Sequence, residues 1–419
     1  MRFAIVGIRW TTALLLIAIG TVAAVDDSAR AANWLGFRND SRSVADSGGL
    51  PSTWNVETGE NIAWQVDLPG RGVSSPIVVD GRVVVTSSSG PRHDRLHVSA
   101  YDASTGEPLW HRQFWATGRT LVHPTSAVAA NTPVSDGESV FAFYSSNDLI
   151  ALSLDGDVKW MRSLIENYPL AGNDIGMSSS PVVAGDVVVV QSEAHAESFV
   201  AAFNKSDGAA AWQIDRPRAP NWCSPIALTA QINGQSIPAV VIQGADGFSV
   251  RRADDGQALW SQGVSCATIA SAVFDEQLFL PANGIQQVSY DAADDTVETL
   301  WQESRLQPGS ASPLIAGGAA YVINGGGVLS CCPVGSDKIA WRKRLGGSFW
   351  ATPVIAGDRL LAINQDGKAT LVAIGAGDDP APGSVVGEFE FGEPVLASPA
   401  VADGALYVRS YQRLWKIAE

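Results

Sequence analysis

One phrase recurs along this chain and limits what it can fold into. A Ser-Pro or Thr-Pro pair opens a short apolar run, a turn follows, and a Trp closes the unit. The openings lie at Ser75-Pro76, Thr132-Pro133, Ser180-Pro181, Ser224-Pro225, Ser312-Pro313, Thr352-Pro353 and Ser398-Pro399, with a degenerate copy at Ser271-Ala272. The closing residues are Trp64, Trp110, Trp160, Trp212, Trp260, Trp301 and Trp341, 40 to 52 positions apart, and the last copy ends near Phe389. A period of that length built from short strands belongs to a circular or linear array of small sheets.

The first full copy shows how a unit is made. Ser75 to Val79 is a buried strand, and Asp80-Gly81 turns the chain as Asp-Gly does in tight hairpins. Val83 to Thr86 returns, Leu96 to Tyr101 forms a third strand, and after Asp102 to Gly106 turns the chain, Leu109-Trp110 begins a fourth. Four antiparallel strands make one propeller blade. Eight openings predict an all-β, eight-bladed β-propeller. The last copy, from Ser398 to Ile417, supplies three strands, and Trp64 is a closing strand with no opening before it. The segment around Asn61 to Val66 is therefore expected to complete the last blade, which leaves no long exposed edge. The predicted organisation is a secretory segment over 1–24, a lead-in over 33–60 on the outside or across one face, and the propeller over 61–419.

Composition agrees with many tight turns between buried strands: 46% of residues are hydrophobic, 17% are charged, and Gly occurs 41 times. The net charge of −15 argues against nucleic acid as a partner. Arg2 and Arg9, an apolar stretch from Thr11 to Val22, and small residues after it read as an export signal. Cleavage after Val22-Ala23-Ala24 or as late as Ala29-Arg30-Ala31 fits this pattern. The apolar stretch is short for a span, so no stable membrane insertion is expected after its removal. No Cys follows it to carry a lipid. The expected location is periplasmic or extracellular, and the expected state is a monomer. Four Cys, at 223, 266, 331 and 332, are too few for a disulfide framework.

A Gly four residues before the Trp recurs at Gly106, Gly156, Gly208 and Gly256. It lets a neighbouring flat ring approach the backbone. Trp64, Trp110, Trp160, Trp212, Trp260, Trp301 and Trp341 are therefore read as structural, docking on adjacent blades. The run Ala100-Tyr101-Asp102-Ala103-Ser104-Thr105-Gly106-Glu107-Pro108-Leu109-Trp110 resembles the A-x-D-x-x-T-G-x-x-x-W repeat of pyrroloquinoline-quinone (PQQ) type propellers. Trp34 to Arg38 and Gly49 to Trp54 resemble the lead-in of secreted bacterial members. The resemblance covers nearly everything after the signal segment. It implies the fold, and it implies a choice of functions, since the family holds PQQ-dependent dehydrogenases, outer-membrane assembly lipoproteins and other exported propellers.

With this strand order, the blade connectors and the loops between second and third strands share the face around the channel mouth. From closing Trp to the next inner Pro is 12 or 13 residues after Trp64, Trp212, Trp301 and Trp341, but 23 after Trp110 and 21 after Trp160. Loops that outgrow their structural need are where function concentrates. They carry Arg119 and His123, then Asn173 and Asp174. The same face is expected to bring His93, Glu193 and His195, and farther round Trp222, Trp350 and Asp366. His93, His123 and His195 with Glu193 have ligand chemistry but no metal-motif spacing, and solvated loop histidines are the plainer reading. The adjacent pair Cys331-Cys332 resembles the vicinal disulfide of PQQ-dependent alcohol dehydrogenases. Aligning Trp341 with Trp110 instead puts Cys331 on Ala100 and Cys332 on Tyr101, third-strand positions away from the ligand face. Cys223 and Cys266 are either bridged or two separate thiols.

No nucleophile elbow, zinc-protease motif or phosphate loop is present, and no catalytic or metal residues are assigned. The leading reading is an exported, non-catalytic propeller without a cofactor that binds a protein or an extracellular polymer through the channel-mouth face. The alternative is a PQQ-dependent quinoprotein oxidoreductase using calcium. A metal enzyme built on His93, His123 and His195 is the third reading.

Overall fold

A computed structural model describes residues 33–419 apart from 46–47, 173, 233, 292–293, 295 and 376–379. The signal segment, both cleavage sites and Asn173 lie outside the described residues. Eight four-stranded antiparallel sheets follow one another in the expected chain order. In the first, Ile77–Val79, Arg82–Ser89, Arg95–Asp102 and Pro108–Trp115 run from the axis outward. The eighth joins the two ends of the chain: Ile62–Asp67 is its outer strand, beside Arg413–Ile417, with Ile62 opposite Ile417 and Asp67 opposite Arg413.

The recurring hydroxyl closes the centre. The backbone N–H of Ser75 donates to Thr132 Oγ1 at 2.9 Å, and that of Thr132 to Ser180 Oγ at 3.0 Å. The same bond links Ser180 to Ser224, Ser224 to Ser271, Ser271 to Ser312, Ser312 to Thr352 and Thr352 to Ser398. Seven such bonds tie the eight inner strands in succession from Ser75 to Ser398, and the eight residues stand in a ring about the axis. The following Pro suits the site because it brings no N–H that would need a partner.

The outer fastening is the Trp. Trp64, Trp110, Trp160 and Trp212 each lie on the glycine of the next blade, at Gly106, Gly156, Gly208 and Gly256. A methyl group on Gly156, where φ is +83°, would sit 2.6 Å from Trp110 Cδ2. The indole N–H donates to a carbonyl of the same turn, as Trp110 does to Leu154 at 2.8 Å and Trp212 to Ala253 at 2.8 Å. An aromatic side chain buries roughly 150–250 Å², so at about 25 cal/mol per Å² each dock contributes on the order of 4 kcal/mol before ordering costs. Trp260 departs from the pattern and stacks flat on Tyr290, with centroids 5.4 Å apart.

Residues 33–45 cross the end that carries the Asp-Gly turns. Trp34 exchanges backbone bonds with Val78, Leu35 accepts from Ser135, Ser41 Oγ accepts from the Phe274 N–H, and Ser43 Oγ donates to Pro353. These contacts fall on the first, second, fifth and seventh blades, so the segment runs across the axis. Positive φ at Arg38, Asn39, Ser41 and Ser43 coils it tightly enough to fit. Farther on, Trp54 stacks on Phe389 at 3.8 Å.

Candidate functional site at the channel mouth

The hydroxyl ring surrounds a chamber of about 300 Å³ that opens toward the blade connectors. All eight ring residues line it. Phe37, carried in by the crossing segment, also lines it, and Met177, Trp222, Ile269, Trp350 and Leu396 supply apolar walls. His123 is the one ionisable side chain among its described lining residues.

The two enlarged connectors pack on one another. Arg119 and Asp174 form an ion pair at 2.5 Å, and the His123 N–H donates to Ile175 O. The first connector is held by Asp148, a fully buried carboxylate that accepts from Thr117 N, Thr117 Oγ1 and Ser146 Oγ. Burial raises the pKa of Asp148 against those hydrogen bonds. The second is held by Asn147, which donates to Ala171 O, and by Trp222, whose indole donates to Gly176 O. The rim they present is apolar: Leu121, Leu170 and Ile175 are 55%, 64% and 47% exposed. A side groove beside the chamber is lined by Arg71, Arg92, His93 and His123.

The residues singled out from sequence separate into three groups. His123, Trp222 and Trp350 line the chamber, and His93 and His123 share the side groove. Arg119, Asp174, His195 and Asp366 are exposed and line neither cavity. Glu193 is 2% exposed and is occupied structurally, accepting from Arg216 Nε at 2.6 Å, Asn221 Nδ2 at 3.0 Å and Gln191 Nε2 at 2.9 Å. Burial raises its pKa despite those donors. Among the described residues, no three His, Cys, Asp or Glu side chains are gathered for a metal ion.

All four cysteines are separate buried thiols. Cys331 pairs with Tyr321 and Trp341, and Cys332 with Ala320. As neighbours on a strand they face opposite sides, and they enter two different interblade cores. Burial pushes the Cys331 thiol up to about 11 and the Cys266 thiol to about 12. A PQQ–calcium pair does not fit this set. Calcium takes several oxygen ligands with carboxylates among them, whereas the chamber offers hydroxyls and no carboxylate among its described lining.

Sequence reasoning missed Phe37 and Arg38, which reach the axis from the crossing segment, and it read the Ser/Thr positions as strand openings only. A signal was present: at Ser271-Ala272 the Pro is lost while the hydroxyl stays, which marks the hydroxyl as the needed group.

A family model described as outer membrane protein assembly factor BamB matches residues 20–173, 169–277 and 286–379. An outer membrane protein assembly factor BamB from Yersinia pestis is 26% identical over 289 residues, taking in 65% of this chain and 60% of that relative's length. The crystal structure of BamB from Moraxella catarrhalis superposes with a TM-score of 0.61 at 17% identity, covering 85% of this chain and 97% of that one. A europium-containing methanol dehydrogenase superposes with a TM-score of 0.65 at 12% identity, over 93% and 98% of the two chains. Identities this low between structures speak for the fold alone. The family match spans most of the chain, and with the eight-bladed ring it places this protein among the PQQ-type β-propellers of the outer membrane protein assembly factor BamB family.

Proposed function

We propose that this chain is an exported, periplasmic, non-catalytic scaffold that acts in outer membrane protein assembly by binding a protein partner at the channel mouth. The observation that carries this reading is the apolar rim of Leu121, Leu170 and Ile175 on two connectors that exceed their structural length. Exposed apolar groups gathered on one face mark interaction surfaces. The rim stands on a braced base, since Asp148, Asn147 and Trp222 tie both connectors to the blades. A partner therefore meets a surface that needs little ordering, which lowers the cost of association. The chamber behind the rim supports a binding role as well, because a ring of hydroxyls and apolar walls line it. The relatives' name supplies the process.

Complementation tests the reading. In cells lacking this protein, the intact chain is expected to restore the level of outer membrane β-barrel proteins. The triple variant Leu121→Ser, Leu170→Ser, Ile175→Ser is expected to fail while its melting temperature holds. Full restoration by the triple variant removes the rim from the account.

A further inference from the structure

We propose that the axial chamber binds a small organic anion of the carboxylate class, held by the hydroxyl ring and by Arg38 behind the chamber floor.

The ring is a set of unused donors. From Thr132 to Ser398, seven hydroxyls each accept a backbone N–H from the preceding blade. Acceptance occupies a lone pair and leaves the O–H proton. No acceptor for these protons occurs among the described residues, and all of the hydroxyls line the chamber. Donors spread around a circle suit a ligand with several oxygens.

The charge is supplied from below. Arg38 is 1% exposed, yet its Nε and Nη1 have no hydrogen-bond partner. Its Nη2 donates to Ala272 O at 2.8 Å, on the residue that follows the ring member Ser271. Its guanidinium carbon lies 5.1 Å from the centroid of the Phe37 ring, which lines the chamber. Asp40, the one carboxylate that acts on Arg38, is held by Arg42 at 2.5 Å. A buried guanidinium with free donors and no carboxylate bonded to it is costly. An oxyanion beside it would remove that cost, and its entry requires the Phe37 ring, which lines the chamber, to turn aside. The apolar walls at Met177, Ile269 and Leu396 call for an organic body on the anion.

This inference does not depend on the partner reading, and its test uses the isolated protein. Calorimetric titration of the purified full chain with malonate is expected to show one saturable site, with glycerol at the same concentration giving none. Arg38→Met is expected to weaken binding at least tenfold, and Arg38→Lys to retain part of it. Ile269→Trp, which adds bulk to the chamber wall and keeps Arg38, is expected to abolish binding and decides the matter if Arg38→Met does not fold. No saturation of the intact chain by about 10 mM malonate, where a millimolar site would be nearly full, would overturn the proposal. Equal binding of glycerol, or unchanged malonate binding in Ile269→Trp, would overturn it too.

Discussion

The backbone N–H of Ala272 donates to Gln243 Oε1 at 2.6 Å. In the other seven blades a proline stands at this position and no N–H exists there. Gln243 therefore answers the one donor that the degenerate copy introduces. Its Nε2 also donates to Ala267 O and Ala270 O. Gln243→Leu strands these groups, and buried unsatisfied groups cost about 1–3 kcal/mol each. A loss of roughly 3 kcal/mol is expected from urea denaturation. Adding Ala272→Pro to Gln243→Leu removes the stranded donor and is expected to regain about 1 kcal/mol.

The indole dock gives a second prediction. Gly156 has φ +83° and lies under Trp110, while Gly137 has φ +92° with nothing within 4 Å of an added methyl. Gly137→Ala measures backbone strain alone, about 1–2 kcal/mol. Gly156→Ala adds a collision with the ring, and its destabilisation is expected to exceed that of Gly137→Ala by about 2 kcal/mol or more. Thermal melts of the two variants check this.

The seam between the eighth and first blades rests on another buried cation. Arg409 is fully buried and donates to Thr86 O, Ser74 Oγ, Ser410 O and Tyr411 O. Burial lowers its pKa to about 9. Arg409→Met leaves several of those oxygens without donors, and a loss of about 3 kcal/mol or more is expected. Hydrogen exchange should locate that loss in the strands Ala405–Arg409 and Arg82–Ser89.

Histidine chemistry sets the pH response of the first blade. His97 Nδ1 meets His111 Nε2 at 2.9 Å, and His97 Nε2 meets Ser89 Oγ at 2.7 Å. Burial, then the neighbours His111 and Arg95, lower His97 to about 4. The unfolded chain takes up this proton near pH 6.5, so the fold holds fewer protons between these values and stability rises with pH there. The contribution of neutral His97 is full above about pH 6.5 and is lost as pH falls toward about 4. His97→Gln is expected to flatten that part of the stability–pH curve.

Much of the fold could be read from the chain because a repeat states its rule many times. The blade count, the terminal closure and the opposite facing of Cys331 and Cys332 all follow from register. The site was less legible. Glu193 has the spacing of a face residue, but Arg216 and Asn221 draw it into a seam that only the folded blades create. Phe37 and Arg38 precede the repeat, so no periodicity places them on the axis. The hydroxyls reveal their free protons only once each oxygen has found its donor in the next blade.

Photo-crosslinking from two positions tests the central claim most directly. One crosslinker replaces Leu170 on the mouth face, and the other replaces Glu138 beside the Asp136-Gly137 turn at the opposite end. In living cells the position 170 probe is expected to yield an adduct containing an outer membrane assembly protein, with none from position 138. An adduct with that protein from position 138, and none from 170, would contradict the account.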